Sequence, residues 1–222
     1  MDEFEKKNFV VTGASKSYGA SILCELKQRG HTVFEMQRHP RPVLDDLMSP
    51  IIDMEHWIKA DFSEPADPIF AANYFISENV IVDGIVHCVS HREDVNPDMI
   101  SAMDFENHFA VSVFSPLVFV MYMARAMRIM PNSKVIFLMD NRKLDKNNIC
   151  YLAAKKAIPA VAEACRIVLP GVNFVYAAVP DFNSEKADGV EQRICNILED
   201  SKLPPSNIVN LMDHRTSIDA AK

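Results

Sequence analysis

The sequence predicts one α/β domain of the doubly wound type, in which a parallel sheet of about six to seven strands carries helices on both faces. Short apolar, β-branched runs alternate with longer segments of helical periodicity, which is typical of this class. Runs such as 84–89 and 134–139 are almost continuously apolar, as expected for strands buried on both faces. No repeat, low-complexity tract or linker interrupts the series, so we treat residues 1–222 as a single domain.

The predicted elements follow from local pattern and from helix-end signals. In the first helix, Ile22, Leu23 and Leu26 share one face, and Gly30 is typical of the residue just after a helix. The predicted strands are residues 8–12, 31–36, 57–60, 84–89, 134–139, 173–179 and 207–212. The predicted helices are residues 17–29, 66–78, 104–130, 149–169 and 187–200.

Composition excludes several classes of protein. Hydrophobic residues make up 49% of the 222 residues and charged residues 24%, an ordinary globular balance. The net charge of -7 argues against a nucleic-acid partner, because such binding needs a basic surface to replace counterions. The longest uncharged run, residues 109–124, is shorter than the roughly 20 residues of a membrane span, so no membrane insertion is expected.

Cysteine and histidine spacing bears on location and on metal binding. The five cysteines are odd in number, widely spaced and without a CxxC pair, so we expect reduced thiols in a cytoplasmic protein. The charged N-terminus has no apolar secretory region. His87 and His91 have HxxxH spacing in a segment that resembles a strand end rather than a helix, so no metal site is expected.

The turn after the first predicted strand carries Gly13 and Gly19 and leads into a helix. In a doubly wound sheet this turn lies at the carboxyl end of a strand, beside a helix N-terminus. Glycines let the backbone approach a pyrophosphate, and the free N–H groups favour the anion. We therefore predict a dinucleotide site here, with a plain tight turn as the alternative.

The chain resembles the short-chain dehydrogenase/reductase family, whose domain is of the Rossmann type, in motifs that occur in the family's order. Residues 12–19 are similar to the family's TGxxxGxG, with Ser17 at the middle glycine. The further similarities are Asp61 at the family's adenine-side aspartate, residues 87–90 (HCVS) at its NNAG, Tyr151 and Lys155 at its YxxxK, and Pro180 at its PG pair.

From the turn and this resemblance together, we expect a dinucleotide cofactor to contact Gly13, Ser15, Lys16, Ser17, Tyr18, Gly19, Arg38, Asp61, Phe62, Cys88, Val89, Ser90 and Pro180.

The end of the second predicted strand indicates which dinucleotide binds. A site for NAD usually places an acid here for the ribose hydroxyls, whereas this chain has Gln37 followed by Arg38. Lys16 in the glycine turn adds a second cation. Two cations and no acid suit the 2′-phosphate of NADPH. The alternative is two solvated surface bases.

Tyr151 and Lys155 are four residues apart, one turn along a predicted helix. A nearby ammonium lowers the pKa of a tyrosine, so that Tyr151 can exchange a proton with a substrate. The resemblance also implies that the lysine holds the nicotinamide ribose. The alternative is a packed tyrosine at a helix start with an exposed lysine.

The other two members of the family's catalytic tetrad are replaced. No serine lies between Ser133 and Tyr151, and Asp140 is the polar residue at the strand end, while Ser112 falls near the family's asparagine. Pteridine and dihydromonapterin reductases of the family use aspartate in place of the serine, and residues 137–140 (FLMD) and 144–157 are similar to theirs. A carboxyl can relay a proton to a ring nitrogen. The alternative for Asp140 is a strand-end cap.

These observations predict an NADPH-dependent reductase that transfers hydride to a carbonyl or pterin-like C=N substrate, with Tyr151 as proton donor. The alternative is a catalytically weak or inactive dinucleotide-binding sensor or partner subunit, favoured by the two replaced tetrad residues. The apolar helix at 104–130 and the helix at 149–169 correspond to subunit-contact helices of the family. The resemblance therefore implies a homodimer or homotetramer. It also implies a substrate-covering region after the sixth strand, which is short in this chain, at residues 181–206.

Overall fold

The structure is a computed structural model that describes residues 5–39, 56–127, 133–140, 146–200 and 207–211. Its strands are β1 (Asn8–Thr12), β2 (Thr32–Gln37), β3 (Trp57–Lys59), β4 (Gly84–His87), β5 (Lys134–Asp140), β6 (Asn173–Val179) and β7 (Asn207–Asn210). Its α-helices are α1 (Ser17–Gln28), α2 (Asp67–Ser77), α3 (Ala102–Phe109), α4 (Ser115–Met123), α5 (Ile149–Val168) and α6 (Val190–Glu199).

The strands form one seven-stranded sheet in the order β3-β2-β1-β4-β5-β6-β7. Every neighbouring pair is parallel. The chain therefore reverses its direction of travel across the sheet between β3 and β4, and the crevice for a ligand lies at the carboxyl ends of β1 and β4. The predicted doubly wound α/β class is confirmed.

Two hydrophobic layers cover the sheet, because successive side chains of a strand point to opposite faces. Val10 of β1 and Val135 of β5 belong to the layer that includes Phe75 of α2 and Phe119 of α4. The following residues, Val11 and Ile136, belong to the other layer, with Ile22 and Leu26 of α1 and Ile194 of α6. Strands buried on both sides are the reason for the continuous apolar runs in the sequence.

The predicted helix 104–130 is wrong as a single element. The structure has α3, then a five-residue π turn (Ala110–Phe114), then α4, which ends at Met123. Ser101 caps α3 with a capping box to Asp104, so the helix also begins two residues before the predicted start. The predicted residues 128–130 lie outside the described part of the chain, as does Met212 of the last predicted strand.

Smaller boundary differences have local causes. The predicted strand 84–89 ends at His87, where the chain leaves the sheet. The predicted helix 187–200 begins at Val190, because Gly189 has a left-handed φ of 73° and interrupts the helix. Between residues 181 and 189 lies a single short 3₁₀ turn, Glu185–Ala187. Residues 201–206 of the predicted substrate region lie outside the described residues.

Lys134, at the start of β5, is buried and caps the carboxyl end of α6. Its Nζ donates hydrogen bonds to the backbone oxygens of Leu198 (3.0 Å) and Asp200 (2.6 Å). These oxygens lack partners within the helix, since the last turn of a helix leaves its carbonyls unpaired. Burial lowers the pKa of Lys134 to about 8.

None of the helices in the described ranges has the length and apolar character to cross a membrane.

Candidate functional site

The glycine turn connects β1 to α1 and is packed tightly against its surroundings. Gly13 has a left-handed φ of 67°, and its N–H donates to the backbone oxygen of Met36 in β2 (2.9 Å). A Cβ at Gly13 would lie 3.0 Å from the backbone nitrogen of Val89. The turn is thus held between the ends of β2 and β4.

Gly19 lies on the first turn of α1 and faces the backbone of Gly13 and Ala14 in the preceding glycine turn. A Cβ at Gly19 would come within 2.4 Å of the oxygen of Gly13, so a larger residue does not fit without moving the turn. Ser17 has a left-handed φ of 54°, a conformation that glycine adopts more readily than serine. The glycine that the family has at this place therefore has a conformational reason.

Tyr18 ties the turn to the far side of the crevice. Its buried side chain donates from Oη to the backbone oxygen of Pro180, just after β6 (3.1 Å), and its ring packs edge-on against Phe182. Pro180 therefore holds the turn through its carbonyl, although it does not itself line the cavity described next.

A cavity of about 430 Å³ lies at the carboxyl ends of β1, β2, β4, β5 and β6. Of the residues predicted to bind a cofactor, it is lined by Gly13, Ser15, Lys16, Ser17, Tyr18, Gly19, Arg38, Cys88, Val89 and Ser90. Lys155 also lines it, together with Gln37, His91, Arg92, Glu93, Leu138 and Val179, which the sequence analysis did not place in the site.

At the β2 end of the cavity, Arg38 and Lys16 are exposed cations on the lining. Beside them Gln37 is 4% exposed, and neither its Nε2 nor its Oε1 has a hydrogen-bond partner among the described residues. A buried amide without partners is costly, so a ligand that supplies an acceptor and a donor would stabilise this position. The sequence signal for Gln37 was its position at the end of a strand, because ligands of parallel sheets bind at the carboxyl ends of the strands.

Asp61 and Phe62, predicted to contact the adenine side, lie outside the cavity lining. The Asp61 carboxylate accepts hydrogen bonds from the backbone N–H and the hydroxyl of Ser63 (2.9 and 2.7 Å). Phe62 is buried, with its ring against His87 and Phe119. In this structure both residues shape the loop after β3.

His87, the last residue of β4, is a buried neutral histidine beneath the cavity. Its Nδ1 is 2.7 Å from Oγ1 of Thr12, and its ring packs between Phe62 and Phe137. Burial, followed by the charge of Lys155, lowers its pKa well below the usual value. His87 therefore joins β1 to β4 as a polar core residue.

Cys88 follows His87 and lies near two cations of the lining. Burial raises the pKa of its thiol to about 12, while the charges of Lys155 and Arg92 act in the opposite direction. The thiol is thus protonated and inert at neutral pH.

Tyr151 and Lys155 lie one turn apart on α5. Lys155 Nζ donates to the backbone oxygen of Leu138 in β5 (3.2 Å) and lies 5.8 Å from the centroid of the Tyr151 ring. Lys155 is 6% exposed and lines the cavity, whereas Tyr151 is 1% exposed and does not. Of the two side chains, Lys155 is therefore the one that reaches the cavity.

The two replaced tetrad positions differ in what the structure describes. Asp140 is the last residue of β5, paired with Val179, and its side chain lies outside the described part. Ser112 is fully buried in the π turn, and its Oγ accepts a hydrogen bond from the backbone N–H of His91 (3.3 Å). Ser112 thus holds the loop after β4 and does not line the cavity.

Of that loop, residues 90–95, the sequence analysis placed Ser90 in the cofactor site and left His91 and Glu93 out. His91, Arg92 and Glu93 line the cavity. The Nε of Arg92 donates to Oγ of Ser90 (3.1 Å), and the His91 ring packs edge-on against His108. The only sequence signal is position, since the loop follows a strand that ends at the crevice.

Comparison with known proteins agrees with this geometry. The family model of short chain dehydrogenases matches residues 7–175. A short-chain dehydrogenase/reductase family oxidoreductase from Brucella ovis is similar in structure, at 17% identity and a TM-score of 0.75, over 93% of this chain and 99% of that one. The NADH enoyl-[acyl-carrier-protein] reductase of Aquifex aeolicus is similar at 15% identity and a TM-score of 0.73, over 92% of this chain and 94% of that one. A search of curated proteins finds no match.

The fold and the crevice define a dinucleotide-binding α/β domain of the Rossmann type. The family match spans well over half of the chain. The chain belongs to the short-chain dehydrogenase family, a family of oxidoreductases.

Proposed function

We propose that the protein is an NADPH-dependent reductase that acts on a carbonyl or pterin-like C=N substrate. One observation carries the proposal. The glycine turn, the cations Lys16 and Arg38, and Lys155 of the YxxxK pair all line the same cavity. The Brucella ovis neighbour, whose structure includes a partially ordered NAD, supports a nicotinamide dinucleotide.

The residues present fit such a cofactor. Gly13 and Gly19 both line the cavity, and a Cβ at either would press on backbone atoms of Val89 or Gly13, so the turn is as tight as the approach of a backbone to a pyrophosphate requires. Lys16 and Arg38 lie at the β2 end, where a 2′-phosphate would be paired by two cations. Gln37 stands in the place of the acid that a site for NAD usually has. Its amide is neutral and has no hydrogen-bond partner among the described residues, so it does not repel the phosphate as a carboxylate would.

In the proposed reaction, bound NADPH supplies the hydride. Tyr151 donates its Oη proton to the carbonyl oxygen or ring nitrogen of the substrate, and Lys155 stabilises the tyrosinate that remains. Tyr151 is 1% exposed, whereas Lys155, one turn away on α5, lines the cavity. Asp140 would be a second polar group at the end of β5, suited to relay a proton to a pterin nitrogen.

We also propose a homodimer or homotetramer formed through the helices around 104–130 and 149–169. Large apolar side chains are exposed on this part of the chain, namely Phe114, Tyr122, Ile149, Ile167 and Val168. Exposed apolar side chains on these helices favour a subunit contact. A monodisperse monomer in light scattering would exclude this assembly.

A cytoplasmic location is part of the proposal, since all five cysteines are free thiols in this fold.

The first test is a fluorescence titration of the purified protein with NADPH and with NADH. We expect NADPH to bind at least ten-fold more tightly, because the phosphate adds charge-assisted hydrogen bonds. Equal affinities would contradict the NADPH preference. Binding of neither would indicate that the glycine turn no longer serves a cofactor.

The second test is Tyr151→Phe, assayed by NADPH oxidation with ketone and dihydropterin substrates. We expect a loss of turnover of about 10²–10⁴-fold with NADPH affinity unchanged. Tyr74→Phe, on the half-exposed tyrosine of α2, is the matched control and should keep wild-type turnover. NADPH binding without turnover in the wild type would favour a sensor or partner subunit.

A further inference from the structure

The cavity is cationic although the chain is acidic. The protein has a net charge of -7, yet its cavity lining contains Lys16, Arg38, Arg92 and Lys155. Glu93 is the acidic residue of that lining among the described residues. Its side chain is 79% exposed and lies 3.4 Å from Nε2 of His91, so its charge is turned to the histidine and screened by water.

The four cations come from different elements that meet at the cavity. Lys16 lies in the glycine turn after β1 and Arg38 directly after β2, and the proposed 2′-phosphate accounts for both. Arg92 and Lys155 are at the β4 and β5 end, where both act electrostatically on the Cys88 thiol. Lys155 is assigned to the tyrosine and the cofactor ribose. The charge of Arg92 is the one that the proposed cofactor and proton donor do not use.

The loop that carries Arg92 is fixed at three points. The N–H of His91 donates to Oγ of Ser112 (3.3 Å), and the backbone oxygen of Glu93 accepts from Nε2 of His108 (3.1 Å). The N–H of Val95 donates to the backbone oxygen of Asn147 (2.7 Å), just before the helix of Tyr151. These bonds hold the backbone of the loop, so the exposed Arg92 side chain projects from a defined place beside the cavity.

Arg92 itself is oriented by a neighbour. Its Nε donates to Oγ of Ser90 (3.1 Å), and Ser90 also lines the cavity. This bond leaves the terminal N–H groups of the guanidinium for a carboxylate or phosphate, whose two oxygens they match in a planar fork.

We propose that Arg92 is a substrate-binding residue that recognises an acidic group, a carboxylate or a phosphate, on the substrate. This inference rests on the proposed reductase function and names its substrate class, which is carbonyl or C=N compounds that carry an anionic group away from the reacting atoms.

The experiment compares two matched substrate pairs, with NADPH oxidation followed by absorbance. Acetoacetate is paired with methyl acetoacetate, and dihydrofolate, whose tail carries carboxylates, with dihydrobiopterin. For at least one pair we expect the wild type to have a KM about 10- to 100-fold lower for the acid than for its neutral partner.

In Arg92→Ala, the KM for the acid should rise by a similar factor, while the KM of the neutral partner and the affinity for NADPH stay unchanged. Arg92→Lys should recover part of the preference, since it keeps the charge and loses the planar fork. Arg125→Ala, at an exposed arginine outside the cavity, is the control and should match the wild type. Equal KM values within both pairs, or equal effects of Arg92→Ala on both members, would overturn the inference.

The two proposals fail in different ways. If NADPH binds but no substrate turns over, the reductase function fails. Calorimetry of acetoacetate and its methyl ester with the NADPH complex then decides the inference. Binding of acetoacetate but not of its ester, with loss of that binding in Arg92→Ala, supports the inference. Binding that is unchanged in Arg92→Ala, or no binding, overturns the inference. Tighter binding of inorganic phosphate by the wild type than by Arg92→Ala would point to a phosphorylated substrate as the source of the anion.

Discussion

Replacement of Gly19 by alanine should weaken cofactor binding and lower the stability of the fold together. The added Cβ would lie 2.4 Å from the oxygen of Gly13, and real Cβ atoms do not come closer than 3.0 Å to such atoms. The turn must therefore open by at least about 0.6 Å. The neighbour is backbone, which cannot rotate away as a long side chain can.

The size of the effect follows from that displacement. Overpacking of this kind costs about 1–3 kcal/mol of folding free energy. The same shift moves the N–H groups that we propose cradle the pyrophosphate, and hydrogen bonds to a charged group are worth about 1.5–3 kcal/mol. We expect the affinity for NADPH to fall about 10- to 100-fold.

Fluorescence titration measures the affinity, and urea denaturation measures the stability of the same sample. Gly30→Ala is the matched control: Gly30 has a left-handed φ of 88°, and a Cβ there meets nothing within 4 Å. It should lose about 1–2 kcal/mol of stability with no loss of NADPH affinity. If Gly19→Ala binds NADPH as tightly as the wild type, the close packing of the turn does not control the cofactor.

Two further predictions concern stability. Ser17→Gly should raise the free energy of unfolding by about 1 kcal/mol in urea denaturation, because glycine adopts the φ of 54° without the penalty of a Cβ; an unchanged or lower value would contradict this. His87→Asn should reduce the sensitivity of stability to acid. The folded protein keeps His87 neutral because its pKa is lowered, whereas the unfolded chain takes up a proton below about pH 6.5. The contribution is thus complete above that pH and is lost at about 1 kcal/mol per pH unit on acidification. Wild type and variant should therefore diverge in slope between pH 7 and pH 5, and parallel slopes would refute the assignment.

Local pattern was sufficient for most of the fold. Strands β1 and β6 occupy the predicted residues, because each is an apolar run with clear boundaries. The break between α3 and α4 was not visible, since a π turn changes hydrogen bonding without changing composition. Lys134 was also beyond sequence reasoning, because its partners in and after α6 are more than sixty residues away.

The candidate site, like the fold, has residues that local motifs predict and residues whose positions depend on long-range contacts. The glycine turn and Lys155 were predictable, because their chemistry lies in short motifs on the lining. Asp61 and Phe62 were placed by resemblance, and their positions outside the lining follow from contacts with Ser63 and His87 that no motif encodes. The Arg92 loop has no periodicity, and its conformation depends on long-range anchors such as Ser112 and His108.

The π turn at Ala110–Phe114 has a consequence for how this chain is aligned with its relatives. A π turn holds one residue more than the α turn it replaces. If these five residues were wound as regular α-helix, α4 would be rotated by about 100° relative to α3. Its buried face, with Phe119, Val120 and Met123, would then turn away from α2 and the sheet. An alignment with a relative that has regular α-helix here must therefore carry a one-residue gap within Ala110–Phe114 to keep Phe119, Val120 and Met123 in register.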